Sequence, residues 1–345
     1  MSDYKVKFVD YPAQYKAHKK ELDTAWQKVM EGGDFILRED VEKFEKNLAD
    51  YVGTKYALGV NSGTDALTIC IKALGISFNN EVITSSHTFW ATIEAIENCK
   101  ARAVLTDTDN GLMNMDDVHY AISRATRAII PVHIAGSVCD MERLKFIADS
   151  QHIPIIEDAA QALGAVKPIG LAQCFSFYPA KILGGIGDGG AITTNDEDFY
   201  NLCKLFRNHG GKPQPQIVGF NSRLDNIQAA ILNVKIKYLP EVLLMRKQIA
   251  DRYNKGLTGL VELPKERLVY QDYIIYLPQR DTLKSYLEKE GIETMVNEYP
   301  FPHFYEKGPK TIKYEKETLR LPCNETLTDS QIDYVIEKIR SFFAQ

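Results

Sequence analysis

Between Tyr56 and Thr194 the sequence alternates short apolar runs with amphipathic ones, and this limits the fold more than any other feature. Strand-like runs at 56–60, 81–84, 101–105, 128–132, 153–157, 174–177 and 191–194 are separated by segments of helical spacing, among them 64–74, 90–98, 116–123 and 141–151. Short strands alternating with helices, bounded by Gly, Asn, Asp and Pro, mean βαβ units: an α/β fold on a mainly parallel sheet. Such sheets gather their chemistry at the carboxyl ends of the strands. The residues just after each strand are therefore the ones to read.

The flanks differ. Residues 12–30 and 39–52 read as helices joined through Gly32 and Gly33, and 225–239 as a long helix, broken at Pro240 and resumed through 257. Beyond Leu260 a strand-like 268–278, a helical 281–290 and a closing helix at 328–343 suggest a smaller α+β unit. A length of 345 residues suits two domains. A net charge of −5 argues against a nucleic-acid binder, which needs clustered basic charge. No apolar run is long enough for a bilayer, and the charged start (Asp3, Lys5, Lys7, Asp10) lacks a signal-peptide core, so the expected location is cytoplasmic. The six cysteines are scattered without C-x-x-C pairs, which argues for buried thiols rather than a metal site or disulfides.

Gly185 to Gly190 spells G-x-G-x-x-G, but the glycines lead into a β-type run. A dinucleotide fingerprint must open a helix whose N-terminus meets the pyrophosphate, so a flexible loop is the better reading.

Three post-strand segments carry chemistry. Ser62-Gly63-Thr64-Asp65 opens a helix with free amides and hydroxyls, suited to a phosphate, although plain capping by Ser62 or Thr64 explains the same residues. Asp158 ends a buried strand, where a carboxylate can keep a pyridinium nitrogen protonated or can simply cap a helix. Lys181 follows an aromatic strand and precedes five glycines; a desolvated lysine there has a depressed pKa and a usable amine, whereas a solvated loop lysine has neither. Together, in this order, they supply a phosphate cup, an acid for a pyridinium and a Schiff-base lysine. That is a pyridoxal phosphate site.

The strings Ser62–Leu67, His87–Thr92, Glu157–Ala162, Phe175–Lys181 with Gly187–Ala191, Arg207–Gly210, and Gly219–Asp225 with Gln228–Ala230 resemble the DegT/StrS nucleotide-sugar aminotransferases, in register from about Gly33 to the C-terminus. The resemblance implies a fold type I pyridoxal phosphate enzyme. Its large domain (1–238, with the N-terminal helices) would carry a mainly parallel seven-stranded sheet, with a small α+β domain at 239–345. It implies that Lys181 holds pyridoxal 5′-phosphate as a Schiff base, Asp158 pairs with the ring nitrogen, Phe89 stacks on the ring and Gln161 lies near its hydroxyl. Gly63, Thr64 and Ser176 would hold the phosphate, with Asn221 reaching the phosphate of the neighbouring subunit in a homodimer with shared sites. Tyr178 and His303 are the expected substrate contacts, and no metal is implied. The implied reaction passes an amino group from glutamate, which leaves as 2-oxoglutarate, to a nucleotide-linked ketosugar, as in polysaccharide biosynthesis. The Phe-Tyr-Pro-Ala-Lys context with Gly-Asp-Gly-Gly looks more like enzymes aminating C3 than C4. Other branches of the resemblance are a cofactor-binding regulator or sensor without turnover and an aromatising relative that makes an aminobenzoate. The sequence departs from the pattern in a short spacer after Gln161, in the missing aromatic before Gly136, and in the 297–303 segment, where His303 is shifted. All three touch the substrate side.

Overall fold

The structure is a computed structural model that describes residues 4–344. Seven strands build its central sheet: β1 (Tyr56–Val60), β2 (Glu81–Ser85), β3 (Arg102–Thr106), β4 (Thr126–Ile130), β5 (Ile156–Asp158), β6 (Ala172–Ser176) and β7 (Gly190–Thr194). The ladders β3-β2-β4 and β5-β6-β7-β1 are joined by parallel bridges from Ile129 to Ile155 and from Val132 to Asp158. Only β7 runs antiparallel to its neighbours. This is the mainly parallel α/β sheet expected of fold type I.

Both sheet faces are covered, so the strands read as nearly continuous apolar runs. Leu58, Val60 and Ile192 pack under the helices Gly63–Ala73, Trp90–Asn98 and Glu197–Arg207. Phe175 and Phe177 pack with Phe44, Leu48 and Leu232 of the helices Glu39–Val52 and Asn226–Lys235 on the other side. After the glycine loop the chain enters β7, not a helix, and the loop wraps Gln228, whose Oε1 accepts from the Ile186 amide at 2.9 Å.

The register of β7 shapes the site. Gly190 lies opposite Val60 on one side and Ser176 on the other. A Cβ on Gly190 would fall 2.3 Å from the Ser62 carbonyl carbon and 2.7 Å from the Gly63 nitrogen, so only glycine lets β7 pass beneath that turn. The turn after β1 is thereby pressed against the end of β6.

The C-terminal unit is a three-stranded antiparallel sheet with Thr318–Leu321 between Tyr273–Tyr276 and Met295–Val296. The helices Leu239–Leu257, Arg280–Lys289 and Asp329–Phe343 cover it around Tyr253, Tyr273, Leu287 and Val335. We retain 1–238 and 239–345 as a proposed division with one change at the N-terminus. Val6 bridges to Ile292 and belongs to the C-terminal core.

Local details differ from the sequence reading. The helix expected at 12–30 is two, Tyr11–Ala17 and Lys19–Gly32, because His18 leaves helical geometry (φ −125°) and its ring stacks on Tyr238 at 3.9 Å. The break expected at Pro240 falls just before it: Asn226–Lys235 ends in a 3-10 turn, Ile236–Tyr238, and Pro240 sits in the first turn of Leu239–Leu257, where its missing N–H costs nothing. The strand expected over 268–278 is confined to Tyr273–Tyr276.

Candidate active site

The cup forms at the ends of β1 and β6. Ser62 does cap its helix, accepting from the Asp65 amide at 3.0 Å. That leaves the first-turn amides of Gly63 and Thr64 without intrahelical acceptors, at the positive end of the helix dipole. Ser176 closes the other side, and a Cβ on Gly63 would sit 3.0 Å from the Ser176 Cβ. Ser222 braces the rim, donating to Asp65 Oδ2 at 2.6 Å and accepting from the Asn61 amide at 3.2 Å.

Asp158 ends β5 and is buried. The capping alternative fails, because no helix follows it. Its Oδ1 accepts from the Ala160 amide at 3.1 Å and its Oδ2 from the Thr92 hydroxyl at 2.7 Å. Because a carboxylate only accepts, the Thr92 proton lies on Asp158, and Thr92 accepts from Thr88 at 2.7 Å. Adjacent Glu157 holds the strand from below. It accepts from Ile169 (3.0 Å), Gly170 (2.6 Å) and Gln173 (3.0 Å), and from His133 Nε2 at 3.1 Å. The Cys139 amide donates to His133 Nδ1 at 3.2 Å, so the imidazole proton is on Nε2. Burial alone would raise the Glu157 carboxyl; the His133, Gly170 and Gln173 hydrogen bonds outweigh it and hold it below its ordinary value.

Lys181 closes a turn, its amide donating to the Tyr178 carbonyl at 2.8 Å. Desolvation pulls its ammonium below the ordinary lysine pKa; Asp272 and then Asp158 oppose that, and Arg320 adds to it. Among the described residues its Nζ has no hydrogen-bond partner. Gln161 Oε1 accepts from the Ala135 amide at 2.8 Å, and its Nε2 lies 3.4 Å from the Tyr299 hydroxyl. Phe89 is 60% exposed and touches Tyr299 edge-on, with ring centroids 6.2 Å apart.

Gly63 and Ser176 thus meet in one cup, with Thr64 next in the helix's first turn, and Asp158 is among the charges that face Lys181. Among the described residues, the side chains of three expected residues make no hydrogen bond to the cup, Asp158 or Lys181. Asn221 is exposed, its backbone paired with Asn208. Tyr178 is 52% exposed, with Tyr11 beside it. His303 lies in an exposed turn with its ring 5.6 Å from Phe304. Sequence reasoning missed Thr92, Tyr299, Gln271 and the ion pair of Asp272 with Arg320. Only Thr92 had a local signal, its i,i+4 spacing from Thr88.

The residues fit pyridoxal phosphate: a cradle of amides and hydroxyls that a Cβ would fill, a buried carboxylate, an unpartnered desolvated amine and an exposed aromatic face. Among the described residues no three His, Cys, Asp or Glu side chains gather as a metal site. All six cysteines are free and buried. No helix of the described residues is long and apolar enough to cross a membrane.

The DegT/DnrJ/EryC1/StrS aminotransferase family model matches residues 16–340. The chain is 39% identical, over 98% of both chains, to a pleiotropic regulatory protein of Geobacillus stearothermophilus. It is 34% identical to the dTDP-3-amino-3,4,6-trideoxy-alpha-D-glucose transaminase of Streptomyces venezuelae, over 98% of this chain and 96% of that one. An X-ray structure of S. venezuelae DesV in complex with a ketimine intermediate matches with a TM-score of 0.94 at 34% identity, covering 99% of each chain.

Proposed function

The chain belongs to the DegT/DnrJ/EryC1/StrS aminotransferase family, and from that premise we propose that it transfers an amino group from glutamate to the C3 ketone of a nucleotide-linked sugar. The chain is an enzyme, a sugar aminotransferase dependent on pyridoxal 5′-phosphate. The observation that carries the aminotransferase reading is a desolvated amine faced by a buried acid beside an amide-lined cup. For C3, the support is the residue context of Lys181 and the 3-amino sugar in the name of the Streptomyces relative.

When bound, pyridoxal phosphate supplies an aldehyde for an amine and a ring that accepts a carbanion's electron pair. The Gly63 and Thr64 amides with the Thr64 and Ser176 hydroxyls would hold the phosphate. Asp158, held by Thr92 and Ala160, would keep a positive charge on the ring nitrogen. Phe89 would supply an aromatic face for the ring, and Gln161 a polar group for its hydroxyl. Lys181 has a lowered pKa, so more of it is neutral than of an exposed lysine; its amine would be the group that holds the cofactor's aldehyde and, once freed, the one that moves a proton at the donor carbon.

We place the active form in the cytoplasm as a homodimer in which Asn221 reaches the partner's cup. Asn221 is exposed, as is an apolar row on and after the N-terminal helices (Tyr15, Trp26, Met30, Phe35), which suits burial against a second copy. Light scattering of the holoprotein is expected to give twice the 39.0 kDa chain mass, and a monomeric holoenzyme would remove the shared site.

The name of the Geobacillus relative favours a second reading, a sensor that binds the cofactor without turnover. Against it stands the retained amine, acid and cup. Mixing the holoprotein with glutamate separates the two: conversion of the visible cofactor band to the pyridoxamine form, reversed by a nucleotide-linked 3-ketosugar, is expected. No conversion would favour the sensor, and reversal by 4-keto sugars alone would move the amination to C4.

A further inference from the structure

Lys181 sits in the large unit, but the two peptide groups that flank it are held from the C-terminal one. The side-chain amide of Gln271 accepts from the Ile182 amide at 3.0 Å through Oε1 and donates to the Ala180 carbonyl at 3.0 Å through Nε2. Gln271 is buried, and only this orientation of its amide satisfies both partners, one a donor and the other an acceptor. Its neighbour Asp272 accepts from Arg320 Nη1 at 3.3 Å, and Arg320 is anchored to the Val296 carbonyl through Nε at 3.2 Å and Nη2 at 2.7 Å. Arg320 belongs to the central strand of the C-terminal sheet.

We propose that Gln271 is a positioning residue for Lys181, a clamp by which the C-terminal unit fixes where the amine is delivered. A lysine stem is four carbons long and flexible, so the place of its amine depends on how firmly the backbone at its root is held. Here that backbone is gripped on both sides by one side chain roughly ninety positions away (separations of 89 and 91). The same segment brings charge. The groups that face the amine are Asp158 from β5, and Asp272 and Arg320 from the C-terminal unit. Gln271 and Asp272 are consecutive in sequence, so a displacement of that segment changes the amine's location and its protonation together.

The proposal rests on Lys181 being the cofactor lysine, and the test checks that separately. Borohydride reduction of the holoenzyme followed by peptide mass mapping locates the cofactor; a label elsewhere than Lys181 overturns both that reading and the clamp. With the label on Lys181, Gln271→Met keeps the size and removes both hydrogen bonds. It is expected to shift the pH midpoint of the cofactor's visible band by about 1 unit. It is also expected to lower kcat by about 10-fold to 100-fold, with the donor's KM little changed. An unchanged midpoint and kcat would overturn the proposal.

Gln271→Glu decides the matter if the methionine variant does not fold. A protonated glutamic acid can still donate to the Ala180 carbonyl, and a carboxylate cannot. This variant is expected to approach wild-type kcat at acid pH and lose it on the alkaline side, relative to the wild-type profile. A variant profile parallel to that of the wild type would sink the clamp.

Discussion

Lys181→Ala is expected to lower turnover by at least about 10⁴-fold, since one side chain supplies both the nucleophile and the proton carrier. The visible band of the lysine-bound cofactor should vanish with it. The fold should survive, and the sign of the stability change is itself a test. Desolvation holds the Lys181 ammonium below its ordinary pKa in the folded chain. Between the folded and the unfolded values the unfolded chain binds the extra proton, so this group's contribution to stability rises with pH through that window. Below the window the desolvated ammonium exerts its full penalty, and above the unfolded value it exerts none. The cofactor-free alanine variant should therefore melt at or above the cofactor-free wild type at neutral pH, with the advantage shrinking as pH climbs through the ordinary lysine range. Paired melting curves across pH check this, together with an assay of the loaded enzyme. A variant with full turnover would remove Lys181 from the chemistry. A variant that melts lower at neutral pH, with the deficit unchanged at alkaline pH, would show that the amine is not desolvated.

What was legible in the sequence was whatever the chain states locally. The alternation from Tyr56 to Thr194 carried the sheet, because a strand buried on both faces must be apolar and a helix above it must be amphipathic. Gly63, Asp158 and Lys181 were legible because each lies at or shortly after the carboxyl end of its strand, where α/β sheets expose chemistry. The strand meant for 153–157 slid to Ile156–Asp158, since Pro154 cannot donate to a ladder and its carbonyl serves the Ile129 amide instead. Whatever depends on long-range pairing was hidden. Gly190 looked like a member of a loop motif, and its real task, making room for the Ser62–Gly63 turn, exists only because β7 inserts antiparallel between β1 and β6. Gln271 gave no sign, because its partners are backbone atoms at Ala180 and Ile182. Ala135 adopts φ +54°, a strained state for a side chain with a Cβ. It is held there by Gln161 on its amide and Arg267 on its carbonyl at 3.0 Å.

Asp158→Ala should cost about 1,000-fold in turnover, the upper end of what losing one preorganised electrostatic partner costs. The residue's surroundings separate this loss from general damage. Its carboxylate receives hydrogen bonds from the Thr92 hydroxyl and the Ala160 amide, neither of which carries charge. The ring nitrogen of the cofactor, when bound, would give this buried carboxylate a cationic partner. Asp158→Asn keeps the shape and the acceptor for Thr92 while removing the charge, so it should fold and load cofactor, yet fall nearly as far in turnover as the alanine variant. Thr92→Val tests the same link from the other end. It leaves Asp158 charged with one fewer donor, and should weaken cofactor binding by about 1–3 kcal/mol, the usual penalty for an unmet buried polar group. The decisive measurement is single-turnover conversion of the bound cofactor by glutamate, which excludes effects on sugar binding. An Asp158→Asn enzyme that converts at the wild-type rate would show that the ring needs no anionic partner at this strand end, and the pairing of acid with amine would lose its role.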